Sequence, residues 1–330
     1  MNKSKLTTGA LLVVLLLLAG GCFLIFGDSL GLAAYANADK YTVGDADISS
    51  AVENLEIDWI SGKVNIQYHA GSGISLSETA NRNVSEDEKF RWWLDGKTLR
   101  IQFAAPKLFS FNNLQKTLTV SLPEGIVFKS VNIETTSGDI SVPAMTADEL
   151  RFDTTSGDVN AVITAKNLNA SSTSGDMEIL QDSDIRSAIL GSTSGNITLS
   201  AVSAENIDMK STSGNLSLTL SGDVKKLHLD STSGAILADL ASADKAEFDS
   251  TSGNMNVTLQ SFSDLDLDAT SGDITLKLPK APGFTLDLDS RPSHLNSALA
   301  LEKNGSKYTY GDGSACLRIE TTSGNIRIEE

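Results

Sequence analysis

The sequence predicts an all-β fold, a single-chain β-solenoid (β-helix) of about 19-residue coils preceded by an N-terminal transmembrane helix. Three observations carry that expectation. The tripeptide Thr-Ser-Gly occurs nine times, and its first eight glycines, Gly138, Gly157, Gly175, Gly195, Gly214, Gly234, Gly253 and Gly272, are 18 to 20 residues apart. Apolar or small residues alternate with polar ones on both sides of each glycine, which is the period of a strand. An uncharged apolar stretch precedes all of this.

That stretch runs from about Gly9 to Gly27 behind Lys3 and Lys5, close to the ~20 residues that cross a bilayer. Residues 1–27 are therefore expected to be a membrane anchor with its basic end in the cytoplasm, residues 28–47 a linker, and residues 48–330 an extracytoplasmic β-solenoid repeat domain. Two alternatives place the domain on the same side. "LAGGC" loosely resembles a lipobox, making the protein a lipoprotein processed at Cys22, and cleavage near "AYANA" would release a secreted protein.

The repeat begins in degenerate form at "NLEIDWISGKVNIQ", which holds Gly62 in the same apolar register. "FRWWLDGKTLRIQF" then reads as two strands around an Asp95-Gly96 turn, with Trp92 and Trp93 covering the open end of the core. In the serial copies, positions seven, five and three before the glycine are apolar or small, as in Leu150, Phe152 and Thr154. Positions two, four and six after it match, as in Val159, Ala161 and Ile163. Each repeat is thus strand, corner, strand, loop. Two short strands cannot bury their apolar faces alone, so the repeats must stack into one continuous interior. The glycine is expected to supply a positive-φ corner, and the Asp or Asn after it to bond the turn backbone. Ala235 breaks that polar row, so its coil should be looser. After Gly272 the regular repeat gives way to "LPKAPGFTLDLDS" and an irregular segment around 290–306, and a last copy carries Gly324.

Chemistry is sparse. Cys22 and Cys316 cannot form a disulfide within the domain, and His69, His228 and His294 lie in no metal-ligand spacing. No phosphate-binding glycine loop or nucleophile elbow is present. No cofactor, metal or catalytic residue is implied. Outward threonines such as Thr136 and Thr155 form a row, but the row beside it is charged, which argues against ice binding. His228 reads as a solvated outward side chain. Acidic residues offer the one candidate ligand strip: Asp230, Asp249 and Asp268 on successive coils, Asp266 one row over beside Glu247, and Asp287 and Asp289 in the next strand. The plainer reading is a solvated face whose carboxylates repel one another.

The chain carries 26 basic and 42 acidic residues, a net charge of −16. Nucleic acid and anionic headgroups are therefore poor partners. The membrane, through the N-terminal helix, and an envelope protein, a glycan or a cationic peptide remain.

"LPEGIVFKSVNIETTSGDI", the serial Thr-Ser-Gly coils, "LPKAPGF" and "YGDGSACLRIETTSGNIRI" together resemble a bacterial β-strand-repeat family of unknown function whose members carry an inferred adhesin label. The resemblance covers roughly residues 48 to 330. It implies a solenoid domain, often on a membrane segment in Gram-positive bacteria, with some relatives tied to envelope stress, and it offers no catalytic motif. The expected function is a non-catalytic, cell-surface adhesin or an envelope-associated binding or stress-sensing module. A structural spacer without a ligand, and a β-helix polysaccharide lyase or hydrolase, are the alternatives. The last would need carboxylates beside a basic or metal partner in a groove.

Overall fold

The computed structural model describes residues 37–105, 113–280, 283–289 and 295–330, so the anchor expected at 1–27 lies outside the described residues. Among the described residues no helix is long and apolar enough to cross a membrane. The protein is all-β. Among the described residues, apart from one 3-10 turn at Ala38–Lys40, the regular structure is strand.

The alternation seen in the sequence becomes the burial pattern. Strand Val159–Ser172 buries Val159, Ala161 and Ile163 on one side of a bend and Leu168, Ala170 and Ser172 on the other. Equivalent residues of successive coils then pair in parallel: Leu216 with Ile236, Ile236 with Met255, Met255 with Ile274 and Ile274 with Ile326. A slip of one residue would turn every apolar side chain outward, so burial fixes the register. The result is a solenoid-like stack with one continuous core.

The corner glycines are needed for a different reason from the one expected. Among the described glycines, positive φ occurs at Gly62 and in turns such as Gly96 and Gly125, and at none of the nine Thr-Ser-Gly glycines. Those glycines are instead packed one on another. A Cβ on Gly214 would lie 2.5 Å from the Gly195 carbonyl carbon and closer still to its oxygen, and the same contact recurs up the column. Close backbone approach, not a left-handed turn, excludes a side chain there. The residue three positions earlier completes the corner: the hydroxyls of Thr154, Ser192, Ser211 and Ser250 each accept the N–H of their own glycine at 2.8 Å.

The Asp or Asn row after the glycine binds across coils rather than within its own turn. Each side-chain Oδ1 accepts the backbone N–H of the equivalent residue in the next coil, from Asp139 accepting Asp158 at 3.0 Å to Asp273 accepting Asn325 at 2.8 Å. Ala235 receives this rung from Asn215 at 2.8 Å and cannot pass one on to Asn254. Replacing Ala235 with Asn should restore the missing rung and raise stability by about 0.5–1 kcal/mol. A chemical-denaturation midpoint equal to the parent's would show that the rung carries no weight.

In several coils the second corner is not the loop the sequence suggested. In Leu216–Ser231, Ile236–Ser250 and Met255–Ala269 the chain bends while remaining paired to its neighbours, with a register shift between Leu220 and Asp223. Elsewhere the strand does break, after Ile197–Ala201 and after Met177–Gln181. Gln181 is buried there, and its amide bonds both the N–H (3.1 Å) and the C=O (3.0 Å) of Ala165, replacing a strand partner.

Sequence order and stacking order part company at both ends. Strand Ala315–Thr321 lies between Met255–Ala269 and Phe284–Asp289, so the last coil of the chain is not the last coil of the stack. At the other end Asn54–His69 lies between Val127–Thr154 and the strands Thr98–Gln102 and Lys116–Pro123. Antiparallel strands close each outer coil: Ile74–Ala80 and Arg91–Asp95 at one end, Lys307–Tyr310 at the other. A solenoid otherwise ends in open parallel edges that invite pairing with other chains. The linker boundary also moves. Thr42 pairs with Trp92 and Ala46 with Leu76, so residues 42–48 already belong to the cap.

Trp59, Phe90 and Phe103 fill the N-terminal cap; Trp92, half buried, packs against the core as expected, whereas half-buried Trp93 does not. Register places Lys116 opposite Gly62, at the end of the glycine column. With no coil beyond it, this position can carry a side chain. Lys116 is 1% exposed, and its ammonium donates to the carbonyl oxygens of Glu88 (2.7 Å) and Phe103, lies 2.7 Å from Glu78 Oε2, and sits 4.2 Å from the Phe103 ring centre. Burial pushes its pKa down, with Glu78 acting against that shift.

Candidate functional site

Two rows of outward side chains cross the strands that precede the glycine corners. Four residues before the glycine, register aligns Lys210, Asp230, Asp249, Asp268 and Glu320, continued by Asp289. Six residues before it stand Asp208, His228, Glu247, Asp266 and Arg318, continued by Asp287. Leu229, Phe248, Leu267 and Ile319, each between a pair of these residues, are buried and hold the face rigid from beneath.

The structure thus brings Asp230, Asp249 and Asp268 together as the spacing predicts. It separates Asp287 and Asp289 from Asp266 and Asp268, because the C-terminal strand inserts Arg318 and Glu320 between them. Five acidic residues therefore follow one another in the first row. In the second row His228 and Arg318 interrupt the acids, and Glu247 and Asp266 are neighbours.

His228 is not a solvated side chain. Its Nδ1 lies 3.1 Å from Asp208 Oδ1 and its Nε2 3.1 Å from Asp249 Oδ2, so one imidazole bridges three coils. Hydrogen bonds to Asp208 and then Asp249 raise its pKa to about 9 against the opposing cost of burial. Burial and the neighbouring Asp249 push Asp230 upward, opposed by His228 and Lys210, and burial likewise raises Asp266 against Arg318. Lys210 pairs with Asp208 at 3.0 Å, Lys245 with Glu247 at 2.5 Å and Lys307 with Asp287 at 3.3 Å. The strip is a mosaic in which basic groups offset part of the carboxylate repulsion expected from the sequence.

Linkage gives this bridge a pH signature. The folded value of His228 lies above its ordinary 6.5, so its contribution is complete below about 6.5 and disappears as pH rises through about 9. A third of the side chain is exposed, which reduces that contribution to about 1 kcal/mol. Stability measured by denaturation between pH 6.5 and 9.5 should fall in the parent and fall less in His228→Gln. Identical slopes would show that the bridge does not couple to folding. Asp249→Asn, which pure repulsion would make stabilising, should instead be slightly destabilising.

Sequence reasoning missed Asp208, Arg318 and Glu320, although each stands at the same offset from its glycine as a residue it named. It also missed Lys116 and Glu78, for which no repeat signal exists. Among the described residues no cluster of His, Cys, Asp or Glu has the geometry to hold a metal ion. The surface concavity beside the Asp/Asn row, lined by Asp176, Glu178, Asn196, Thr198, Asn215 and Ser217, is shallow and open.

The stack and its charged face define an all-β repeat protein whose ordered chemistry lies on an open sheet surface. The chain belongs to the Toastrack DUF4097 family, whose sequence profile matches residues 52–264 and 247–329. No curated protein matches it. Among solved structures it is similar to a candidate cell adhesion protein from Clostridium sporogenes, at 13% identity over 87% of this chain and 99% of that one, with a TM-score of 0.19. A candidate adhesin from Parabacteroides distasonis is 15% identical over 88% of this chain and 97% of that one (TM-score 0.43). A candidate lipid binding protein from the same organism is 16% identical over 90% and 98% (TM-score 0.37).

Proposed function

We propose that this protein is a non-catalytic binding module held outside the cytoplasmic membrane by residues 1–27, acting as an adhesin or an envelope-stress sensor. The observation that carries this reading is the run Asp230, Asp249, Asp268, Glu320 and Asp289, five acidic residues on consecutive strands of a face braced by the core. Strand spacing of ~4.8 Å makes this a regular ruler of carboxylates, suited to an envelope protein or peptide with repeated cationic groups. The adhesin label of similar structures agrees with a binding role.

The ion pairs of the second row favour a structural spacer as the second reading, since they offset charge without needing a ligand. Photo-crosslinking from position 232, beside the strip, in intact cells separates the two. A discrete crosslinked envelope component that disappears in Asp230→Asn/Asp249→Asn/Asp268→Asn is expected. Absence of any adduct from correctly displayed protein would leave the spacer. Protease added to intact cells should reach the repeat domain, and protection until the membrane is permeabilised would overturn the outward topology.

A further inference from the structure

The proposed anchor leaves open whether the repeat domain stands clear of the bilayer or rests on it. All three tryptophans, Trp59, Trp92 and Trp93, lie in the N-terminal cap. Trp59 is fully buried. Register places Trp92 and Leu94 opposite the core residues Ile101 and Leu99, and Trp93 opposite Arg100, so Trp93 projects from the outer face. There it meets the point at which the chain enters the fold. The Tyr41 ring packs edge-on against Trp93 with centroids 5.7 Å apart, Lys40 Nζ lies 4.7 Å from the Trp93 ring centre, and the Arg100 guanidinium lies 5.9 Å away.

Tyr and Trp with an apolar body and a polar tip, flanked by Lys and Arg, are the side chains that the headgroup level of a bilayer accommodates best. The connection to the apolar stretch is short. Nine residues, "DSLGLAAYA", separate Gly27 from Asn37, a reach of at most about 35 Å, and Asp28 is their only charge. A segment so poor in charge has little to hold it away from the interface. Carboxylates around this face are partly offset by basic groups: Lys97 pairs with Glu53, and Arg100 with Glu56 and Asp95.

We infer that the outer face of the N-terminal cap, built on Tyr41 and Trp93 with Lys40 and Arg100, rests in the interfacial layer of the membrane that holds the anchor. The domain is then seated on the bilayer by two attachments, and the sheet face leading away from Trp93 is fixed in direction relative to the surface. This inference rests on the proposed anchor, and the test keeps the two apart.

Full-length protein is reconstituted into zwitterionic phosphatidylcholine vesicles, with and without lipid brominated near the top of the acyl chain. Flotation and tryptophan emission are read on the same sample. Co-flotation together with quenching by the brominated lipid is expected, and the quenching should fall at least twofold in Trp93→Phe with an unchanged denaturation midpoint. Co-flotation without quenching would overturn the seating and leave the anchor intact. Failure to co-float would overturn the anchor and the seating with it. Undiminished quenching in Trp93→Phe would show that this tryptophan is not the contact.

Discussion

Replacing Gly214 with Ala should destabilise the protein by about 3 kcal/mol, although the backbone there has an ordinary φ. The added methyl would be driven into the Gly195 carbonyl group, and neither partner can move without breaking the parallel ladder on both sides. Two controls isolate the cause. A Cβ on Gly191 would meet nothing within 4 Å, so Gly191→Ala should be nearly silent. At Gly138 the nearest atom is the Trp59 Cδ1, at 3.2 Å, and a side chain can yield where a carbonyl cannot. The order of midpoints in urea should be Gly191→Ala, then Gly138→Ala, then Gly214→Ala as the least stable. Equal effects at all three positions would mean that the glycines serve conformational freedom rather than contact.

Lys116→Met should cost about 3–5 kcal/mol, because it strands the carboxylate of Glu78, whose side chain is 8% exposed. Glu78 Oε1 would keep the Phe90 N–H at 3.1 Å, which is too little to hold a charge out of water. Combining Lys116→Met with Glu78→Gln removes both charges, so the double variant should recover much of the loss. Additive losses in the double-mutant cycle would show that the two side chains act independently. The cap is the region to watch, since Trp59 packs on both Lys116 and Phe103 and its emission should shift to the red when this end opens.

What could be read in the sequence follows from how local the cause is. Alternation around each glycine depends only on which residues face a core, so strand placement and the buried set from Val159 to Ile274 were legible. The role of the glycine was not, because a positive-φ turn and a close backbone approach select the same residue, and only the position of the neighbouring coil distinguishes them. The Asp230 row was legible because equal spacing implies stacking. The place of Asp287 and Asp289 was not, since chain order does not reveal that residues 315–321 insert before them. Lys116 sits where the pattern ends, and its burial depends on carbonyl groups contributed by Glu88 and Phe103. Asp208 and His228 were both available at the same offset, yet a bridge between coils is visible only once the rows are drawn side by side.

The crossed order of the end coils changes where such a stack can come apart. In a linear array the first and last units have one neighbour each, and they fray first. Here Asn54–His69 and Ala315–Thr321, the first and last strands that approach a repeat glycine, each have a neighbour on both sides, so neither is an outer unit from which the stack can unzip. The units with a single coil beneath them are internal to the chain, at 98–123 and 284–297. Fraying of those units opens loops rather than tails, and strand Ile326–Glu329 stays clamped between two others.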